Sequence, residues 1–231
     1  MISDNLKKVQ ANILAACNRS NRDKNDVTLI CVSKTKPVEA IYEAMDCGYK
    51  VFGENKVQEM CSKYEEINDS NLEWHLIGHL QTNKVKYIVD KAALIHSVDS
   101  LHLATTISKE AVKHNVVVNV LIEVNVAKED TKFGVSVEEC EELIIEISKL
   151  PNIIVKGLMT IAPFVTNPEE NRIHFANLRK LLIDINNKNI DNVFMNVLSM
   201  GMTNDYEVAI EEGATHIRVG TGIFGDRQYH R

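Results

Sequence analysis

The five cysteines, Cys17, Cys31, Cys47, Cys61 and Cys140, include no CxxC pair, and their number is odd. That argues against a disulfide framework or a zinc site and points to reduced thiols in a cytosolic protein. Cys31 in an expected strand and Cys47 at an expected helix end suit small buried side chains. No basic block is present, and 26 Lys and Arg are outnumbered by 32 Asp and Glu, for a net charge of −6. A nucleic-acid partner is therefore not expected. No apolar stretch is long enough to span a membrane. The first twenty residues mix Asp4, Asn5, Lys7 and Lys8 with apolar residues at helical spacing, so they do not read as a signal peptide. There is no linker, no Pro/Gly/Ser-rich stretch and no low-complexity segment, and 1–231 is expected to be one domain. HExxH, Walker and GxSxG motifs are also missing.

What is present is alternation. After an amphipathic helix near 5–17, strands are expected near 27–32, 50–53, 74–77, 94–98, 117–125, 153–158, 195–199 and 216–219. Helices are expected near 37–47, 55–67, 83–90, 101–114, 137–149, 169–186 and 204–212. Gly48 and Gly213 stand where a left-handed residue ends a helix, and Pro151 stops another. Thr203 or Asn204 is placed to cap the helix that runs through Glu207. Eight β/α units predict a parallel sheet closed as a single (β/α)8 (TIM) barrel with an extra N-terminal helix; an open doubly wound sheet is the alternative.

In such a barrel, function sits at the C-terminal strand ends. Lys34 follows the first strand, in Val32-Ser33-Lys34-Thr35-Lys36-Pro37. Its amine can form a Schiff base with an aldehyde, or it can be a solvated lysine or a phosphate clamp. Ser199-Met200-Gly201 and Gly220-Thr221-Gly222 end strands seven and eight, where barrels often hold phosphate. Period-two alternation puts His216 and Arg218 on one face. Arg218 pointing inward needs a ligand or an internal acid such as Glu54 or Glu123. His75 reads as a core histidine more readily than as a general base. The acids Glu138, Glu139, Glu141 and Glu142 read as a solvated helix face.

Six blocks carry a resemblance. They are Val32 to Pro37, Phe52-Gly53-Glu54-Asn55, Trp74 to Lys84, Gly157-Leu158-Met159, Leu198 to Met202, and Arg218 to Gly225. In this order they resemble the pyridoxal phosphate homeostasis protein family. Position 203 is Thr where Ser is expected in many members. The resemblance implies a barrel similar to the barrel domain of alanine racemase, with pyridoxal 5′-phosphate (PLP) held as an aldimine on Lys34. Ser199, Gly220 and Thr221 would hold the phosphate, Arg218 would approach the pyridine nitrogen, and Asn55 and Met200 would lie near the ring. It implies a PLP carrier that buffers or delivers the cofactor, with apo-PLP enzymes as recipients and no established reaction.

Three functions follow as expectations. The first is PLP homeostasis by a cytoplasmic monomer without membrane or nucleic-acid partners. The second is an amino-acid racemase or other PLP enzyme. Against it stand an arginine at the ring nitrogen, which weakens the ring as an electron sink, and the need for a second acid/base. In alanine racemase that residue comes from a further domain, which a chain ending at Arg231 is not expected to carry. The third is a sugar-phosphate enzyme using Lys34 as an aldolase would. Lys36, or Lys132 in the loop after strand five, is a candidate relay amine for release.

Overall fold

The structure is a computed structural model that describes residues 1–129 and 133–226. Eight parallel strands pair in chain order and close: β1 (Thr28–Val32), β2 (Val51–Glu54), β3 (Glu73–Leu76), β4 (Ala92–Val98), β5 (Val118–Glu123), β6 (Ile153–Met159), β7 (Val193–Met202) and β8 (His216–Val219). Closure is set by β1 lying along β8, with Thr28 opposite His216 and Cys31 opposite Val219. The expected barrel is therefore the fold, and the open sheet is not. The helices are α1 (Ile2–Arg19), α2 (Val38–Asp46), α3 (Val57–Ile67), α4 (Leu101–His114), α5 (Val137–Ser148), α6 (Arg172–Asn186), α7 (Tyr206–Glu211) and α8 (Thr221–Phe224).

Alternation sorts the strand residues into two cores. Leu29, Cys31, Phe52, Trp74, Leu76, Ile95, Val120, Ile122, Leu198, Met200, Ile217 and Val219 join the helices in one outer core. Inside the barrel, Ile30, Val32 and Ile77 form one small apolar cluster, and Leu94, Leu121 and Met159 form another. Buried polar side chains share the interior with them. α1 buries Leu6, Val9, Ile13, Ala16 and Cys17 at helical spacing. Asn5 Nδ2 donates to Ile223 O (2.8 Å) and Asn12 Nδ2 to Tyr206 Oη (2.9 Å), which ties α1 to α8 and α7.

Several expectations change. The helix expected at 83–90 is a 3₁₀ segment, Thr82–Tyr87. Thr82 and Asn83 favour local bonds over an α-helix, and few residues separate this turn from β4. α8 was not expected. β7 runs three residues beyond its expected end at 199, which changes where its polar residues lie. Gly48 and Gly213 do end helices in left-handed conformation (φ +89° and +101°). Cys47 is exposed rather than buried, because the α2 C-terminus opens to solvent there; all five cysteines are free thiols. At Gly157 (φ +153°) a Cβ would lie 1.8 Å from Val197 O, so only glycine lets β6 and β7 approach this closely.

Candidate functional site

A cavity of about 560 Å³ opens at the C-terminal ends of the strands. Val32 and Ile77 supply apolar lining, and Lys34, Asn55 and Arg218 bring polar groups. The segment 161–165 forms one wall. Thr203, Asn204, Gly220 and Thr221 supply hydroxyls, an amide and backbone. Among the described residues lining the cavity, Lys34 is the only amine.

Lys34 continues the inward parity of Ile30 and Val32, and is half-buried. Asn55 follows β2 and packs so tightly on the β3 end that a Cβ at Gly78 would lie 2.5 Å from Asn55 O. At the β7 end, Gly201 (φ +89°) turns the chain over α7; a Cβ there would meet Ala209 Cβ at 2.5 Å. That turn delivers Thr203 to the loop after β8. Thr221 Oγ1 donates to Thr203 Oγ1 (3.2 Å), and Gly222 N donates to the same oxygen (3.4 Å). Two hydroxyls and a backbone N–H thus converge on one corner, where they bond to one another and would turn to an anion seated there.

Below the cavity runs a buried polar chain. Arg218 Nη1 donates to Ser199 Oγ (2.5 Å) and Nη2 to Thr160 O (2.8 Å). Ser199 Oγ lies 2.9 Å from His96 Nδ1, and His96 Nε2 lies 2.9 Å from His75 Nδ1. Arginine can only donate, which fixes the direction of the chain. Ser199 accepts from Arg218 and donates to His96 Nδ1, and His96 then donates from Nε2 to His75. That requires a neutral His96, and burial, with His75 and Arg218 nearby, does push its pKa well below the usual range. Burial brings Arg218 down to about 10, opposed by Asp205 and Glu123, so it stays charged at neutral pH. Burial lowers His216 to about 4. His75 is the core histidine expected, 2% exposed.

Five sequence-derived candidates meet at the cavity: Lys34, Asn55, Arg218, Gly220 and Thr221. Ser199 and Met200 do not line it. Because β7 continues to Met202, Ser199 sits below the rim with its hydroxyl engaged by Arg218 and His96. Met200 has the opposite parity and is fully buried in the outer core. Arg218 makes no ion pair with Glu54 or Glu123 among the described residues; Glu54 pairs instead with Lys63 (2.7 Å). Thr203 and Asn204 do not cap α7, whose N-cap is Asp205; both face the cavity, and sequence reasoning missed them as site residues. Their signal was proximity to Gly201. Lys36 is drawn away from Lys34 by the left-handed Thr35 (φ +62°). Its Nζ donates to Phe224 O, Gly225 O and Asp226 O at 2.9–3.0 Å. A relay role would break all three bonds. Lys132 lies outside the described residues.

Glu123 ends β5 inside the barrel mouth. Burial, then Asp99 nearby, raises its carboxyl to about 7, against the pull of Arg218. Asp99 also lies 3.8 Å from His79, which stacks on Phe133. No group of three or more metal-ligating side chains occurs among the described residues.

Residues 5–228 match the family model for the alanine racemase N-terminal domain. The chain is 51% identical over 226 residues to the pyridoxal phosphate homeostasis protein of Aquifex aeolicus, covering 98% of each. PipY of Synechococcus elongatus, solved with PLP bound, superimposes with a TM-score of 0.84 at 34% identity, covering 97% of this chain and all of that one. Alanine racemase of Clostridium difficile shares the fold (TM-score 0.74, 17% identity), and the match covers 98% of this chain and 58% of that one.

Proposed function

Because the chain belongs to the pyridoxal phosphate homeostasis protein family, we propose that it binds PLP in this cavity and buffers or delivers it to apo-PLP enzymes. The observation that carries this reading is one amine, Lys34, sharing a cavity with an anion-binding corner and a buried arginine. The residues fit the cofactor. Thr203, Thr221, Gly220 and the Gly222 N–H would hold the phosphate, Arg218 would meet the ring nitrogen, and Asn55 would flank the ring. When bound, PLP supplies an aldehyde that condenses with a primary amine, and Lys34 is the amine placed to receive it. Ser199 acts from below by holding Arg218, and Met200 by packing behind β7.

The cavity also supports a carrier over a racemase. Among the described residues, its titratable side chains are Lys34, Asp205 and Arg218. Both Asp205 carboxylate oxygens are engaged, by Met202 N (2.7 Å) and Asn171 Nδ2 (2.8 Å). Arg218 is too basic to exchange protons near neutrality. Among the described residues that line the cavity, no second acid/base stands ready to work opposite Lys34. Beside the ring nitrogen, Arg218 would keep that nitrogen unprotonated, which would disfavour carbanion chemistry.

Free cysteines fit the cytoplasmic location of this reading, and no helix among the described residues is long and apolar enough to cross a membrane. The reading also takes 1–231 as one domain acting as a monomer. The test is α-proton exchange with deuterium in a panel of amino acids. Rates no higher than those with free PLP are expected, and exchange at enzyme-like rates would overturn the carrier reading.

A further inference from the structure

Lys34 is the residue the reading above depends on, and the chain on both sides of it is held by charges outside the barrel wall. Ser33 and Glu54 have outward parity, so they meet under α3 while Val32 and Lys34 face inward. Ser33 Oγ donates to Glu54 Oε1 (2.7 Å). From α3, Lys63 Nζ donates to Ser33 O (2.8 Å), Glu54 Oε1 (2.7 Å) and Glu59 Oε1 (2.8 Å). An ammonium has three protons, and all three are used. On the other side, Thr35 N donates to Glu59 Oε1 (2.6 Å). One cluster therefore grips the carbonyl and hydroxyl before Lys34 and the amide after it.

Two features set the cluster apart from ordinary packing. Thr35 is β-branched yet left-handed, a conformation that persists only where its surroundings enforce it. Lys63 is 5% exposed, Glu54 is fully buried, and Glu54 Oε2 has no hydrogen-bond partner. Burial raises the Glu54 carboxyl despite Lys63 and Ser33. Burying such groups is costly, and apolar side chains would fill the same layer at less expense. What the cluster achieves is a fixed backbone at 33–35, and hence a fixed departure point for Lys34.

We propose that Lys63, with Glu54 and Glu59, forms a positioning clamp that sets how fast Lys34 captures the aldehyde of PLP. This rests on the reading of Lys34 as the capturing amine. The step forms a carbon–nitrogen double bond, and the carbonyl oxygen leaves as water with the two amine protons, so nothing is oxidised or reduced. The clamp touches no reacting atom; it acts through the backbone.

The test separates capture from binding. PLP capture is followed by borohydride quench and peptide mass, and cavity integrity by affinity for pyridoxine 5′-phosphate, an alcohol that cannot be captured. Lys63→Met should slow capture at Lys34 by about ten-fold or more, with affinity for the alcohol within about two-fold, and Lys63→Arg should restore much of the rate. Unchanged capture in Lys63→Met would overturn the clamp. So would parallel loss of capture and alcohol binding, which a merely structural role would give. If Lys63→Met does not fold, Glu59→Ala at the cluster's solvent edge should slow capture several-fold; unchanged capture there rejects the proposal equally. A wild-type adduct on residues other than Lys34 would instead sink the reading beneath it.

Discussion

Glu123→Gln should make the protein more stable, by an amount that grows as pH rises from about 4.5 to about 7. Burial holds the Glu123 carboxyl at about 7 against an ordinary value of 4.5. Between these values the folded chain keeps a proton that the unfolded chain has released. Stability linked to this group is therefore fully present below about pH 4.5 and is lost as pH rises through about 7. A ten-fold change in proton affinity is worth about 1.4 kcal/mol, so the whole effect is roughly 3 kcal/mol. Glutamine imitates the neutral acid and does not titrate. The two proteins should unfold alike in urea at about pH 4, and the variant should gain roughly 3 kcal/mol by about pH 8. Other titrating groups, among them His216, cancel in the difference unless they couple to Glu123, as Asp99 and Arg218 do. A difference that does not change with pH would show that the barrel mouth does not hold Glu123 neutral.

Thr203→Val with Thr221→Val should weaken PLP far more than pyridoxal, which lacks the phosphate, since each hydrogen bond to a charged group is worth about 1.5–3 kcal/mol; titration calorimetry with both ligands reads this directly. Ser199→Ala should lower stability to urea by about 1–3 kcal/mol, by leaving Arg218 and His96 without their shared partner. Its effect on PLP should come through Arg218 and so should not single out the phosphate. Gly157→Ala should destabilise by on the order of 2–4 kcal/mol, measured the same way, because its Cβ would collide with Val197 O.

The architecture was legible because buried strands are short apolar runs and the helices between them carry their own stop signals. Parity was legible too: it placed Arg218 and His216 on the inner face. Depth along a strand was not. Nothing in Leu198-Ser199-Met200-Gly201-Met202 shows that pairing continues to Met202, and that extension decides whether Ser199 meets a ligand or Arg218. The same extension turned Thr203 and Asn204 from expected caps into cavity residues. The histidine chain was hidden for another reason. His75 and His96 sit on neighbouring strands with tilted rings, and only closure of the barrel stacks the distant His216 against His75. Lys63 was invisible because a lysine on an amphipathic helix reads as solvated until its three acceptors are seen.

The central claim is that PLP is anchored on Lys34, and reductive trapping tests it most directly. Purified protein incubated with PLP, reduced with borohydride and mapped by peptide mass should carry the added mass on Lys34. Lys34→Ala should lose that adduct while keeping weaker PLP binding through the anion corner. Label found mainly on Lys36, or spread over surface lysines with Lys34 unmodified, would contradict the account.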